Sequence, residues 1–345
     1  MKRIGFLALI MTLALLAPTL SSCAKKEPYS RTYYEYFDTV STVYSYAKEK
    51  QKDFDANCAY ISSELQDYHR LFDIYYEYSG MNNLKTVNDN AGISPVKVDR
   101  RLIDFVLYAK RMYEATNGEM NIAMGSVLSL WHEKREEAYA SPENASAPSE
   151  EALLSASKHI SFDSVIVDEA ASTLFISDKY QRLDAGALGK GYATEQIAKG
   201  LEARGVSSYV LDIGGNLRII GTKPDGGSWK TGITDPKNKG GYSLCLNLSD
   251  VSCVTSGDYE RYYTVGDRKF HHIIDRDTLY PAEYFASVTV VCRDSGLADA
   301  LSTALFCMSY EEGLSLVSKL GADAVWILGS GEIKMTDGIR AKLAE

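Results

Sequence analysis

Four segments hold the side chains best suited to chemistry. In the first, Asp294-Ser295-Gly296-Leu297-Ala298-Asp299-Ala300-Leu301-Ser302-Thr303, residues Asp299 and Thr303 stand four positions apart. On a helix that spacing puts a carboxylate and a hydroxyl on one face. Both are hard oxygen donors of the sort Mg²⁺ takes sparingly, completing its shell with water and substrate phosphate. In the second, Asp184-Ala185-Gly186-Ala187-Leu188-Gly189-Lys190-Gly191-Tyr192-Ala193, three glycines fall within six positions ahead of a helical run. Glycine lets backbone approach a ligand closely, and a helix start offers free N–H groups to an anion such as a phosphate, with Lys190 as an added point charge. The segment is neither a dinucleotide GxGxxG after a strand nor a P-loop. The third runs from Thr255 to Arg261 and continues at His271-His272-Ile273-Ile274-Asp275. Adjacent strand residues point to opposite faces, so the two histidines cannot chelate one metal from a regular strand; one faces a site and the other points away. The fourth, Leu211-Asp212-Ile213-Gly214-Gly215-Asn216-Leu217, runs from strand through Gly-Gly into strand.

Taken singly, each segment also has an ordinary reading. These are a helix-start Asp with a back-bonded Thr, a Gly-rich turn with a solvated Lys, a structural strand histidine, and a hairpin turn. Their order along one chain is what favours a site.

The elements that must position these residues follow from hydrophobic periodicity. Thr39–Ala47 is β-branched and aromatic, a strand. Phe54–Phe72 and Leu102–Thr116 repeat apolar residues at helical intervals, the second ending at Asn117-Gly118, and Ile122–Glu133 suits another helix. Tyr75–Gly92 is polar and reads as a loop carrying Asn88, and 136–150 as a solvated insertion. Beyond residue 160 short strand-like runs are interrupted by helices expected over Gly189–Arg204 and Leu297–Leu320. Strands with segregated helices indicate an α+β fold with mixed or antiparallel sheets.

The N-terminus is a targeting segment. Lys2 and Arg3 precede an apolar run from Ile4 to Leu16, shorter than a spanning helix needs. Leu20-Ser21-Ser22-Cys23 resembles a bacterial lipobox, which makes residues 1–22 a signal peptide, Cys23 the lipidated first residue, and 23–35 a polar tether. The chain is then expected outside the cytoplasm, held to the cell membrane by lipid on Cys23. Five cysteines remain (Cys58, Cys245, Cys253, Cys292, Cys307), mostly in apolar runs and without C-x-x-C spacing, so they read as free thiols. With 345 residues, 45% hydrophobic and 24% charged, the chain is globular. Its formal charge of −9, from 37 basic and 46 acidic residues, argues against nucleic acid as a partner.

With the four segments in this order, the chain resembles the ApbE family, the bacterial FAD:protein FMN transferases, over roughly residues 36–335. Asp184–Ala193 looks like the family's D-x-G-x-x-x-K-G segment, and Tyr209–Asn216 like its strand ending in G-G-N. Trp229–Pro236 is similar to W-x-x-G-I-x-D-P, Ser256–Arg261 to S-G-D-Y-E-R, His272–Asp275 to H-I-I-D-P, and Asp299–Thr303 to D-A-L-A-T. In the first half, Phe37-Asp38-Thr39, Asn83–Asn88 and Thr116–Asn121 stand where the family has M-G-T, a loop ending L-N, and T-x-G-x-F-D. The departures are Arg276 for Pro, Asn121 for Asp and Asp38 for Gly.

The resemblance implies an ApbE-like, T-fold-related α+β architecture with a flavin cleft between two subdomains. FAD, as substrate, would contact Phe37, Tyr78, Asn88, Glu119, Met120, Asn121, Asp184, Lys190 and Ile273. Mg²⁺ would be held by the Ala187 carbonyl, Asp299 and Thr303, with Ser302 adjacent. His272 is the expected base. The implied reaction moves FMN from FAD to a Thr hydroxyl of a target flavoprotein, such as a subunit of a redox-driven ion pump, and releases AMP. Two alternatives stay open on sequence: hydrolysis of FAD to FMN and AMP, and flavin binding without catalysis.

Overall fold

The computed structural model describes residues 28–238 and 240–344. The apolar leader and Cys23 lie outside them. The described chain opens with an antiparallel pair, β1 (Tyr29–Tyr36) and β2 (Thr39–Ser45). The first strand corrects the tether expected over 23–35: Tyr33 is buried and Tyr29 stacks on Phe54, so these aromatic side chains belong to a sheet edge. Helix α1 (Gln51–Phe72) buries Phe54, Cys58, Ile61, Leu65 and Tyr68 along one face. The expected loop over 75–92 contains a short helix, α2 (Leu84–Asp89), opened by a capping box between Asn83 and Thr86. There follow β3 (Val96–Lys97), α3 (Arg100–Ala115), α4 (Gly125–Ala140), α5 (Glu150–Ala156), β4 (Val165–Asp168) and β5 (Thr173–Ile176). The stretch 136–150 is less of an insertion than its composition suggests. Its first five residues complete α4, and Ala138 and Pro148 are buried, leaving the exposed corner at Pro142-Glu143-Asn144.

The second half contributes α6 (Gly189–Ala203), β6 (Ser208–Ile213), β7 (Asn216–Gly221), β8 (Trp229–Thr234), β9 (Tyr242–Leu248), β10 (Ser252–Gly257), β11 (Tyr262–Val265), β12 (Arg268–His271) and β13 (Ser287–Cys292). The helix expected over 297–320 is two: α7 (Ser295–Phe306) and α8 (Tyr310–Leu320). Ser309 caps the second, bonding Glu312 in both directions, and that local signal overrides the continuous apolar pattern. Strands β14 (Asp323–Ile327) and β15 (Ile333–Met335) and a last turn, α9 (Asp337–Arg340), carry the fold past residue 335, with Ile339 fully buried.

Eight strands form one antiparallel sheet in the order β1-β2-β6-β7-β10-β13-β14-β15. Strand alternation divides its side chains. Leu211, Ile213 and Ile220 face a core shared with α1 and α6, whereas Ile219, Cys253, Val291 and Val325 face the β8–β9 hairpin. Helix α7 lies on the same face as α6, with Ala298, Leu301 and Leu305 in the largest core. A smaller core of Met124, Val127, Trp131, Tyr263, Phe270 and Leu279 joins α4 to the β11–β12 hairpin. The cleft opens between this smaller unit and the sheet. Gly214 and Gly215 turn β6 into β7 with φ of 56° and 86°, left-handed values that a two-residue hairpin needs and glycine adopts freely. No helix among the described residues is long and apolar enough to cross a membrane.

Candidate active site

A cavity of about 1210 Å³ is walled by residues from both sides of the cleft. It brings together Phe37, Tyr78, Glu119, Asn121, Asp184, Ala187, Lys190, His272, Ile273, Asp299 and Thr303. Three expected site residues stand behind its wall. Asn88 is buried and bonded twice to Leu183, donating to its carbonyl at 2.9 Å and accepting from its N–H at 2.8 Å; it therefore braces the extended segment that delivers Asp184. Met120 is fully buried in the main core. Ser302 has its hydroxyl 2.8 Å from Ser256 Oγ and 3.0 Å from the Asp299 carbonyl, and it does not line the cavity, so its oxygen is already engaged.

The oxygen donors meet where α6 and α7 cross. Asp299 is 5% exposed, and its Oδ2 accepts the Gly191 N–H at 2.7 Å. A continuous helix would use that N–H for the Ala187 carbonyl, four residues back, so the bond to Asp299 leaves the Ala187 oxygen outside the ladder. Burial pushes the Asp299 carboxyl above its ordinary range, with Lys190 and the Gly191 N–H acting the other way. Asp184 and Asp212, also on the wall, are raised by burial too, each accepting a turn N–H (Gly186 at 2.7 Å, Gly215 at 2.9 Å). Asn216 is 2% exposed, and its amide nitrogen has no hydrogen bond of ordinary geometry although it leans toward Asp299. Among the described residues no cluster of three His, Cys, Asp or Glu forms a protein cage for a metal. A buried carboxylate, a freed carbonyl and a hydroxyl on one wall nonetheless fit Mg²⁺, which keeps most of its shell for water and phosphate.

The cationic side is equally defined. Among the described residues Lys190 and Arg261 make no ion pair, and both face the cavity with Arg135 and His132. Sequence marks Arg261 only as the end of the S-G-D-Y-E-R stretch, with no role, and Arg135 not at all, because a basic residue gains meaning only when the fold turns it toward a cleft. Strand β12 ends at His271, so His272 stands just beyond it; both line the cavity, and what separates them is how far each ring is already engaged. His271 is buried, with Nε2 2.9 Å from the Ala282 carbonyl and Nδ1 accepting the Ile273 N–H. The His272 ring is open to the cavity yet surrounded by protein, so its exposure is to the cleft and not to bulk water. That enclosure, with Arg261, His271, Lys190 and Arg135 nearby, depresses its pKa and keeps it neutral at physiological pH.

Two of the three departures from the family pattern have local partners, and the third sits in a tight turn. Asn121 uses its amide to donate to the Ile160 carbonyl at 2.9 Å, which a carboxylate could not do, while its oxygen accepts from Ala123. Arg276 sits 3.2 Å from Glu119 and donates to the Asn117 carbonyl at 2.6 Å. Burial still raises Glu119 to about 7. Phe37 and Asp38 make a two-residue turn with φ of 56° and 50°; glycine takes such values freely, and Asp tolerates them better than most residues.

A family model described as the ApbE family matches residues 37–326. The chain belongs to the ApbE family. The FAD:protein FMN transferase of Treponema pallidum is 30% identical over 317 residues, covering 87% of this chain and 85% of that one. That of Escherichia coli K12 is 26% identical over 276 residues, covering 79% and 76%. Among solved structures, the ApbE protein of Thermotoga maritima superposes with a TM-score of 0.80 at 26% identity, over 92% of this chain and all of that one. The flavin transferase ApbE from Vibrio cholerae, at 20% identity and a TM-score of 0.75, shares the fold over 92% of this chain and 100% of its own. The expected α+β architecture is therefore the ApbE architecture, and the cleft described above is where this family's motifs converge.

Proposed function

We infer that this protein transfers FMN from FAD to a Thr hydroxyl of a target flavoprotein and releases AMP. One observation carries the reading: a single cavity joins the Ala187, Asp299 and Thr303 oxygens, the cations Lys190 and Arg261, which make no ion pair among the described residues, and a neutral His272, in a chain of the ApbE family. Lys190 and Arg261 suit the diphosphate of FAD by charge. Phe37, Tyr78 and Ile273 offer apolar and aromatic surface to a planar ring. The Tyr78 hydroxyl is fixed by Asp73 at 2.7 Å. Ala187, Asp299 and Thr303 would hold Mg²⁺, which when bound supplies Lewis-acid stabilisation of charge on the departing phosphate. His272 takes the proton of the acceptor hydroxyl as its oxygen bonds the phosphorus next to riboflavin, and the bond from that phosphorus to the AMP oxygen breaks.

The decisive measurement is mass spectrometry of a co-expressed acceptor. A covalent FMN adduct on a Thr, with AMP in equal amount, is expected. AMP and free FMN without an adduct would make the protein a hydrolase, and no FAD consumption would leave a binder.

We also propose that Cys23 carries a lipid holding the enzyme on the extracytoplasmic face of the cell membrane, an assignment supported by the Leu20–Cys23 pattern after an apolar leader. Cys23→Ser should move the protein from the membrane fraction to the soluble one. Unchanged membrane retention of that variant would refute the anchor.

A further inference from the structure

Helices α6 and α7 are clasped by two bonds that mirror each other. The Gly191 N–H, in the first turn of α6, donates to Asp299 on α7 at 2.7 Å; the Ser295 N–H, first residue of α7, donates to Glu195 on α6 at 3.0 Å. In each helix the donor and the carboxylate are four positions apart, so each lends an N–H from its first turn and receives the other's with the next. The contact is close: a Cβ on Gly191 would lie 2.3 Å from Asp299 Cβ and 2.5 Å from the Ser295 carbonyl oxygen. Only one half of the clasp faces the cavity. Glu195 is 4% exposed and absent from the cavity wall. Its Oε2 also accepts from Arg218 Nε at 3.3 Å, and Lys199 stands 3.4 Å from Oε1. The Arg218 side chain is fully buried and reaches Glu202 at 2.9 Å.

We propose that Glu195 is a positioning residue: through the Ser295 N–H it fixes how far α7 is advanced along α6, and with it the spacing between the Ala187 carbonyl and the Asp299 and Thr303 oxygens on which divalent-cation affinity depends. This rests on the reading of those three residues as a cation site. Mg²⁺ demands oxygens near 2.0–2.1 Å in close to octahedral geometry, so a slip of a few tenths of an ångström between the helices is felt. Glu195 has two separable duties, the charge opposite Arg218 and the acceptor for Ser295. Only the second sets the helix offset.

Two variants separate them. Ser295→Pro removes the donor and keeps the Glu195–Arg218 pair. Proline is tolerated at the first helical position, and Asp294 before it, at φ −86° and ψ 120°, already has the extended backbone proline requires. Glu195→Gln keeps an acceptor and removes the charge, which lowers Tm because Arg218 stays buried with less compensation. Mn²⁺ binding to the mature chain without FAD, followed by electron paramagnetic resonance, is the readout. Ser295→Pro should weaken Mn²⁺ about 10–100-fold, the loss typical of groups that orient metal ligands, and should lower Tm as well, because Glu195 stays buried with one donor fewer. Glu195→Gln should lose Tm while binding Mn²⁺ within about threefold of the parent, since its acceptor remains. Parent-like Mn²⁺ affinity in Ser295→Pro, or equal weakening in Glu195→Gln, would overturn the proposal while leaving the cation site standing. A parent protein that binds no Mn²⁺ would remove the cation site and this proposal together.

Discussion

Asp299→Asn should lower FAD turnover by about a thousandfold or more, since several kcal/mol of charge stabilisation are at stake and each 1.4 kcal/mol is a factor of ten. The substitution isolates charge from structure. An Asn oxygen can still accept the Gly191 N–H that Asp299 takes at 2.7 Å, so the helix contact is preserved while the anionic ligand disappears. Stability should move the other way. Burial raises the folded-state pKa of Asp299 above its unfolded value. The favourable contribution of the protonated form is then complete below the unfolded pKa and is lost as pH rises through the folded one. In the metal-free protein the variant should gain Tm over the parent as pH climbs from about 4 toward neutrality. Stopped assays of AMP release and thermal melts across pH test both halves. Parent-like turnover in Asp299→Asn would discredit the oxygen site.

His272→Ala should reduce transfer about 10²–10⁴-fold, the range expected for loss of a positioned base. The pH profile is the more diagnostic readout. The depressed pKa keeps the imidazole neutral and able to accept a proton well below the ordinary histidine value of about 6.5. The acid limb of kcat/KM in the parent should therefore lie below that value, and it should vanish in His272→Ala. Glu119, raised to about 7 on the same wall, is the internal control: Glu119→Gln should leave the acid limb in place. Full transfer rate at neutral pH in His272→Ala would remove the residue from the role.

What sequence could reveal of this site was what local spacing encodes. Asp299 and Thr303 share a face because they are four apart on a helix, and Gly214-Gly215 turns because glycine takes left-handed φ. Each of these is decided within a few residues. The histidine pair is different, since β12 ends at His271 and both rings reach the cavity wall. The misplacements were of another kind. Asn88 supports Leu183 across ninety-five positions, Ser302 bonds Ser256 across forty-six, and Met120 fills the core. A motif marks such residues without saying whether they touch a ligand or hold one that does. The Glu195–Ser295 bond spans a hundred positions and leaves no local trace. In the fold, α7 and α8 share one apolar pattern, and only the capping box at Ser309 divides them. The strand over Tyr29–Tyr36 was concealed by the polar residues before it and by its edge position, which leaves half its side chains in solvent without a regular alternation.

That opening strand also limits where the enzyme can work. Among the described residues sheet begins at Tyr29, and with a lipid on Cys23, as proposed, five residues separate the lipidated residue from the fold. Stretched to the full, they span no more than about 20 Å. With that anchor in place, so short a leash would hold the β1 edge of the sheet close to the bilayer surface and favour clients seated on the same membrane.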